Sequence, residues 1–221
     1  MSVLPMRIQN AMLEAPFTMR VDPETGSLAP EILVPEGWDF YYVPQGPNDP
    51  AWKNRRPEWV PFDHYAKMFV TSGTMVAGLM QRYEVDPGEV FSLNVGACFT
   101  SENAGIALRV GLDPLGGTDF RAESIVWGPW QGETAQGPEH WLGGLDNPRT
   151  LVVPQVEVPG THITMFLHAQ NDWAGKDASA FWDWVCLNKH NGDQEPPGGG
   201  DLDELVAAVK DVAAAIRELI S

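Results

Sequence analysis

A chain of 221 residues carrying 30 Asp and Glu against 14 Lys and Arg has a formal net charge of −16. That balance weighs against nucleic acid, whose phosphates are bound by neutralising them with cations, and against an anionic membrane surface. No stretch approaches the ~20 apolar residues of a membrane span, and residues 1–20 hold Pro5, Arg7, Gln9, Asn10 and Glu14 where a secretory signal needs an unbroken apolar run.

The length suits one domain with a sizeable core, or two small ones. The 19 Pro and 22 Gly cut the chain into short segments and favour β structure, while nine Trp and nine Phe exceed what core filling alone requires. In chain order, residues 38–65 come first. Trp38, Phe40, Tyr41, Tyr42, Trp52, Trp59, Phe62 and Tyr65 are mixed there with prolines, and apolar periodicity is poor. The expectation is a long, structured loop packed on the body by its own aromatics.

Residues 77–85 then run into Asp86-Pro87-Gly88, a turn in which Pro sets φ and Gly takes the positive value. From 89 to 100, Phe91, Leu93, Val95, Ala97 and Phe99 alternate with Ser92, Asn94, Gly96 and Cys98, the period of a half-buried strand. The two segments form either a hairpin or a crossing between sheets. In 105–113, Ile106, Leu108, Val110 and Leu112 share a face before the turn Asp113-Pro114-Leu115-Gly116-Gly117. Further strands are expected at 124–128, 150–158, 162–169 and 180–187, with Pro159-Gly160 between two of them. Strands at this spacing with no helical pattern between them predict an all-β fold, a two-sheet antiparallel sandwich or barrel spanning 1–189.

Beyond it, 190–200 is a Pro/Gly-rich linker. Asp201 makes an N-cap with Glu204 three residues on. Leu202, Leu205, Val209, Val212, Ile216 and Leu219 then follow in steps of three and four, an a/d seam that predicts an amphipathic α-helix of coiled-coil type over 201–221. Val206, Ala208, Ala213, Ala215 and Ile220 widen the stripe. A wide stripe fits three or more helices, with a trimer favoured, or docking on another protein or on the chain's own sandwich. Cys98 and Cys186 could pair only if their strands were neighbours, and two free buried thiols are expected.

Four segments carry a resemblance. Asn10-Ala11-Met12-Leu13-Glu14, Pro35-Glu36-Gly37-Trp38, the run Gln81 to Leu93 through Val85, Pro87, Gly88 and Phe91, and Phe181-Trp182-Asp183-Trp184-Val185-Cys186-Leu187 stand in order along the chain. They resemble the opening, the following Gly-Trp, the central hairpin and the closing strand of carbohydrate-binding modules with the galactose-binding-like jelly roll. Arg109 to Asp119, followed by Val126-Trp127, is similar to a segment in bacterial surface proteins of this fold. The resemblance implies a jelly-roll sandwich.

It also implies a structural calcium between the first strand's Glu and the last strand's Asp, here Glu14 and Asp183. The family's second Asp is replaced by Trp184. The alternative is a hydrogen-bonded Asp183 with no metal. No other cofactor is expected. Sugar binding would fall to Trp38, Tyr41, Tyr42, Trp52 and Trp59, with Trp130, His140 and Trp141 in a second loop-like stretch, because flat rings stack on pyranose faces. Against this stands a satellite core that pins long loops. Catalysis is not expected. The histidines at 64, 140, 162, 168 and 190 have no metal-ligand spacing, with His162 and His168 expected to face solvent, and no nucleophile or phosphate-loop motif occurs.

These features together predict a non-catalytic glycan-binding or adhesion module shown in several copies, on a cell surface, outside the cell or on a virion. The alternative is a structural phage virion protein with no sugar ligand.

Overall fold

The computed structural model describes residues 9–101, 105–132, 148–172, 174 and 177–190. These form thirteen strands: β1 (Phe17–Val21), β2 (Leu28–Pro35), β3 (Asp39–Tyr42), β4 (Glu58–Phe62), β5 (Tyr65–Val70), β6 (Met75–Glu84), β7 (Glu89–Ser101), β8 (Ile106–Asp113), β9 (Val126–Trp127), β10 (Gln131–Gly132), β11 (Arg149–Val158), β12 (His162–Asn171) and β13 (Ala178–His190). One sheet has the order β1-β2-β4-β5-β13-β7-β11. The other has β10-β8-β12-β6-β3, with β9 also on β8. Pairing is antiparallel except where β2 meets β4 at Ile32 and Trp59. The body is therefore a two-sheet sandwich of jelly-roll type, and no helix occurs among the described residues.

Alternation drives the stacking of the sheets. Phe91, Leu93, Val95, Ala97 and Phe99 of β7 point inward, as do Trp182, Val185 and Leu187 of β13. They meet Ile163, Met165, Leu167 and Ala169 of β12 and the apolar row of β8. Burying each large side chain contributes ~1.5–3 kcal/mol, so the seam between β7, β13, β12 and β8 dominates the core. The segments on either side of Asp86-Pro87-Gly88 cross between sheets, with Gly88 at φ 83°. The β11–β12 turn at Pro159-Gly160 makes a second crossing. The two corners are tied together: the Val85 N–H donates to the Thr161 carbonyl at 2.9 Å, and that of Gly88 to Val158 at 2.7 Å.

Three expectations change. Residues 38–65 are not one loop, since β3 and β4 lie within them and β5 begins at Tyr65. Periodicity hid these strands because they are short: β3 buries Tyr41 and Tyr42 at successive positions, and β4 ends in the exposed Pro61 and Phe62. The strand expected over 124–128 shrinks to Val126–Trp127. Cys186 is only half-buried, while Cys98 is fully buried and burial pushes its thiol up to about 12. Both are free. Their strands are neighbours, but Cys98 faces Phe181 and Cys186 faces Asn94, so their registers do not match. The linker, the expected helix and its seam from Leu202 to Leu219 lie outside the described residues.

Candidate functional site

The sandwich disperses the aromatic residues singled out in the sequence. Trp38, Tyr42 and Trp59 join the main core. The Trp38 indole N–H donates to the carbonyls of Gln9 and Asn10, which pins the N-terminal segment. Tyr41 is buried on the opposite side of its strand, in a second, smaller core. Trp130 is half-buried and Trp52 is 50% exposed. His140 and Trp141 lie outside the described residues. For Trp38, Tyr42 and Trp59 the packing role is the one observed, so these three do not form a sugar platform.

The second core lies on the outer face of the six-stranded sheet, where strand register builds it. Gly78 pairs with Tyr41 on one side and His168 on the other, and His168 pairs with Arg109. The next row sets Met80 beside Phe166, Gly111 and Trp127. The two glycines make room for rings to lie flat on the sheet. A Cβ at Gly78 would run into the Tyr41 ring, and one at Gly111 would stand 2.7 Å from the Trp127 ring. From Asp113 the chain turns back over this face. The Asp113 carboxylate accepts the N–H groups of Leu115 and Gly117, and the returning segment lays Phe120 on Tyr41 with ring centroids 4.5 Å apart.

His168 is only 2% exposed, contrary to the expectation that it faces solvent. Covering loops, not strand alternation, decide this. Its Nδ1 is hydrogen-bonded to the Tyr41 hydroxyl at 2.9 Å, and the rings of Trp127 and Trp130 lie 5.2 and 5.4 Å away. Burial, reinforced by the neighbouring Arg109 cation, holds the imidazole down at about 3, so it is neutral at physiological pH.

Arg109 forms the rim of this patch. Its guanidinium carbon lies 3.9 Å from the Trp127 ring and 4.2 Å from the Trp130 ring, a cation held between two indoles. Its Nε is buried with no hydrogen-bond partner. Burial lowers its pKa, with Tyr41 acting weakly the other way. Beyond the rim, Trp127 and Trp130 keep half-exposed surface.

Trp52 belongs to a separate feature, the 43–57 loop. Its carbonyl accepts the Thr74 N–H at 2.8 Å. Beside it opens a shallow cleft of about 720 Å³ lined by Glu24, Gln45, Asp49, Asn54, Arg55 and Arg56 among others. The base of this loop is held by Asp22, which is 1% exposed. Asp22 accepts from the Tyr42 hydroxyl at 2.8 Å and from Arg56 at 2.5 Å. Burial alone would raise the Asp22 carboxyl, but the Glu24 N–H, Tyr42 and Arg56 outweigh it and lower it.

The structure brings Glu14 and Asp183 near each other. The Asn10–Glu14 segment is closed by mutual hydrogen bonds between Asn10 and Glu14, and the Val185 N–H donates to the Ala11 carbonyl at 2.7 Å. Asp183 is the extra residue of a β-bulge between Trp182 and Trp184. It is therefore not in phase with Val185 and Leu187, which point into the main core. The bulge switches the strand's phase, and Phe181 packs outside with Tyr65 and Cys98. Burial raises the Asp183 carboxyl, His64 lowers it and the Glu14 charge raises it. Among the described residues no group of three or more His, Cys, Asp or Glu gathers. The donor chemistry is thus two mutually repelling carboxylates, which a calcium ion would relieve; backbone oxygens would have to complete its shell.

Arg109, Trp127, Phe120 and His168 were not expected at a site. A signal for Arg109 existed: Ile106, Leu108, Val110 and Leu112 share one face, so Arg109 and Gly111 must share the other. Nothing local told that Trp127 and Trp130 would straddle it.

No protein-family model and no curated protein matches the chain. Solved structures that are similar include a family 61 carbohydrate-binding module in complex with β-1,4-galactotriose, at 12% identity and TM-score 0.45, covering 70% of this chain and 90% of that one. The N-terminal cellulose-binding domain from Cellulomonas fimi β-1,4-glucanase C is 12% identical, with TM-score 0.39 and coverage of 71% and 91%. The enzymatically active domain of bacteriophage CBA120 tailspike protein 4 is 18% identical with TM-score 0.36; the match covers 70% of this chain and 20% of that one.

Proposed function

We propose that the chain is a non-catalytic glycan-binding module whose sugar surface is the outer face of the six-stranded sheet at Trp127 and Trp130. One observation carries this reading: two half-exposed indoles flank a guanidinium on a rigid sheet face. Indole faces and edges take the apolar side of a pyranose, and guanidinium N–H groups take its oxygens. Trp52, with the polar cleft beside its loop, offers a second contact of the same kind. Glycan microarrays and affinity electrophoresis on the full chain test the reading. Retention is expected, and Trp130→Ala should weaken it at least ~10-fold, in line with the cost of losing a stacking ring. Retention on no glycan would reject the proposal, as would retention that Trp130→Ala leaves intact.

The proposal extends to display. A seam at Leu202, Leu205, Val209, Val212, Ile216 and Leu219 would gather copies, so that weak sites gain avidity without new contacts, on a virion, a cell surface or outside the cell. Sedimentation should give a multimer for the full chain and a monomer for the double variant Leu205→Asp, Val212→Asp. A monomer in both cases removes this extension. Calcium held by Glu14 and Asp183 would tie the N-terminal segment to β13. Titrating the chelator-treated protein with calcium should release heat and raise its melting temperature, and neither change would be seen if no metal binds.

A further inference from the structure

We infer that the sugar this face takes carries a carboxylate, and that Arg109 is the residue that recognises it; the inference rests on the glycan-binding reading above. Acids outnumber bases by 30 to 14 in this chain, so a cation can find an internal partner easily. Others do. Arg56 pairs with Asp22 and approaches Glu31, Lys53 pairs with Asp49, and Lys189 pairs with Glu89. Among the described residues Arg109 has no ion pair or hydrogen bond, and no carboxylate bears on it.

The surroundings of Arg109 leave one route of approach. Trp127 and Trp130 both pack against the guanidinium, their ring centres 3.9 and 4.2 Å from its carbon, and its Nε is buried. What remains for an outside group is the pair of Nη amino groups. Their parallel N–H bonds match the two oxygens of a carboxylate, the bidentate geometry for which arginine is suited and lysine is not. The rings hold this fork in place beforehand, so little side-chain freedom is lost on binding. His168 behind it is neutral and adds no second charge. The part of the same indoles that stays uncovered would border the sugar ring that bears the acid. A neutral glycan would leave a desolvated guanidinium answered only by hydroxyls, which is the weaker arrangement.

Isothermal titration of the full chain with short oligogalacturonates, beside neutral galactose oligomers of equal length, tests the inference. Free glucuronate, galacturonate and N-acetylneuraminate serve as competitors. The acidic oligomer should bind ~10–100-fold tighter, the range of a charge-assisted hydrogen bond over a neutral one. Arg109→Lys keeps the charge but loses the fork; it should bring the ratio of acidic to neutral affinity down toward one, whatever it does to the neutral affinity itself. Equal affinity for acidic and neutral oligomers would overturn the inference and leave the glycan-binding reading standing. A preference untouched by Arg109→Lys would do the same. Binding of no acidic oligomer or acidic monosaccharide would overturn the inference, while the glycan-binding reading stands or falls on the array. The wild-type comparison decides the matter even if the variant fails to fold.

Discussion

Arg56 reaches the buried Asp22 carboxylate, which Tyr42 also holds, and so fastens the base of the 43–57 loop. Arg109 sits on the outer face of the opposite sheet with two indoles against it and, among the described residues, no acid paired with it. Both are partly covered arginines in the same acidic chain. The first is satisfied from within, and its network has the marks of a structural tie: a buried anion, a hydrogen-bonded phenol and a paired cation. The second is held in position with no such partner among the described residues. The contrast teaches that covering a charge and neutralising it are separate decisions, and that the two arginines should respond differently when each is tested.

The largest effect expected lies on the Arg109 side. His168 is held at about 3 by burial and by the Arg109 charge, against an ordinary value of 6.5. In that window the unfolded chain binds the proton and the folded one does not. Stability should therefore fall as pH drops through it, by up to about 1.4 kcal/mol per pH unit. Denaturant melts at pH 7 and pH 4 should show a drop that His168→Gln reduces; identical pH profiles would mean that His168 is not sealed. Next comes the Arg56 side. Asp22→Ala strands Arg56 and the Tyr42 hydroxyl and should cost ~3 kcal/mol. Because the Asp22 carboxyl is lowered, its contribution is present above its ordinary 3.8 and is lost as pH falls below that. A change under ~1 kcal/mol would erase the contrast between the two arginines.

Trp130→Ala should behave in the reverse way, removing a half-buried ring for a cost of only about 1 kcal/mol in stability while weakening glycan retention at least ~10-fold. A large loss of stability would make this rim structural. The smallest effect concerns Asp183. Its raised carboxyl means that the folded state loses stability as pH rises through the folded value, so at pH 7 without calcium Asp183→Asn should stabilise. The gain should be a few tenths of a kcal/mol, since the group is partly solvated. The same variant should lose any rise in melting temperature on adding calcium.

Much of the sandwich was legible because β7, β8 and β12 alternate cleanly over long runs. The corner at Asp86-Pro87-Gly88 was legible because Pro and Gly impose it. The strands β3 and β4 were not, since four or five residues with apolar rings on successive or exposed positions carry no period-two signal. Counting by twos puts Asp183 in phase with Val185 and Leu187, because a bulge is invisible to it. The site was legible only in pieces. Trp130 and Trp52 were named, but among many rings, and exposure is set by which rings the folded sheets happen to cover. Arg109 was discernible as an outward residue of β8, yet its partners come from a segment twenty residues downstream.

The crossings at Asp86–Gly88 and Pro159-Gly160 lace each other at one end of the sandwich. At the far end β5 passes to Met75 through residues 71–74 while β3 leads into the longer segment 43–57, and these two are laced as well: the Thr74 N–H donates to the Trp52 carbonyl and the Arg55 N–H to the Thr74 carbonyl, each at 2.8 Å. Both hems of the molecule are stitched, and the turn at 45–50, closed on itself through Gly46 and Asp49, stands outside either row of stitches. Insertions at either row would unpick both sheets at once, whereas that turn can lengthen, shorten or change its side chains with less disturbance to the fabric. Variation in what such a protein touches can accumulate there, next to Trp52, while the Arg109 face stays fixed by the register of the strands beneath it.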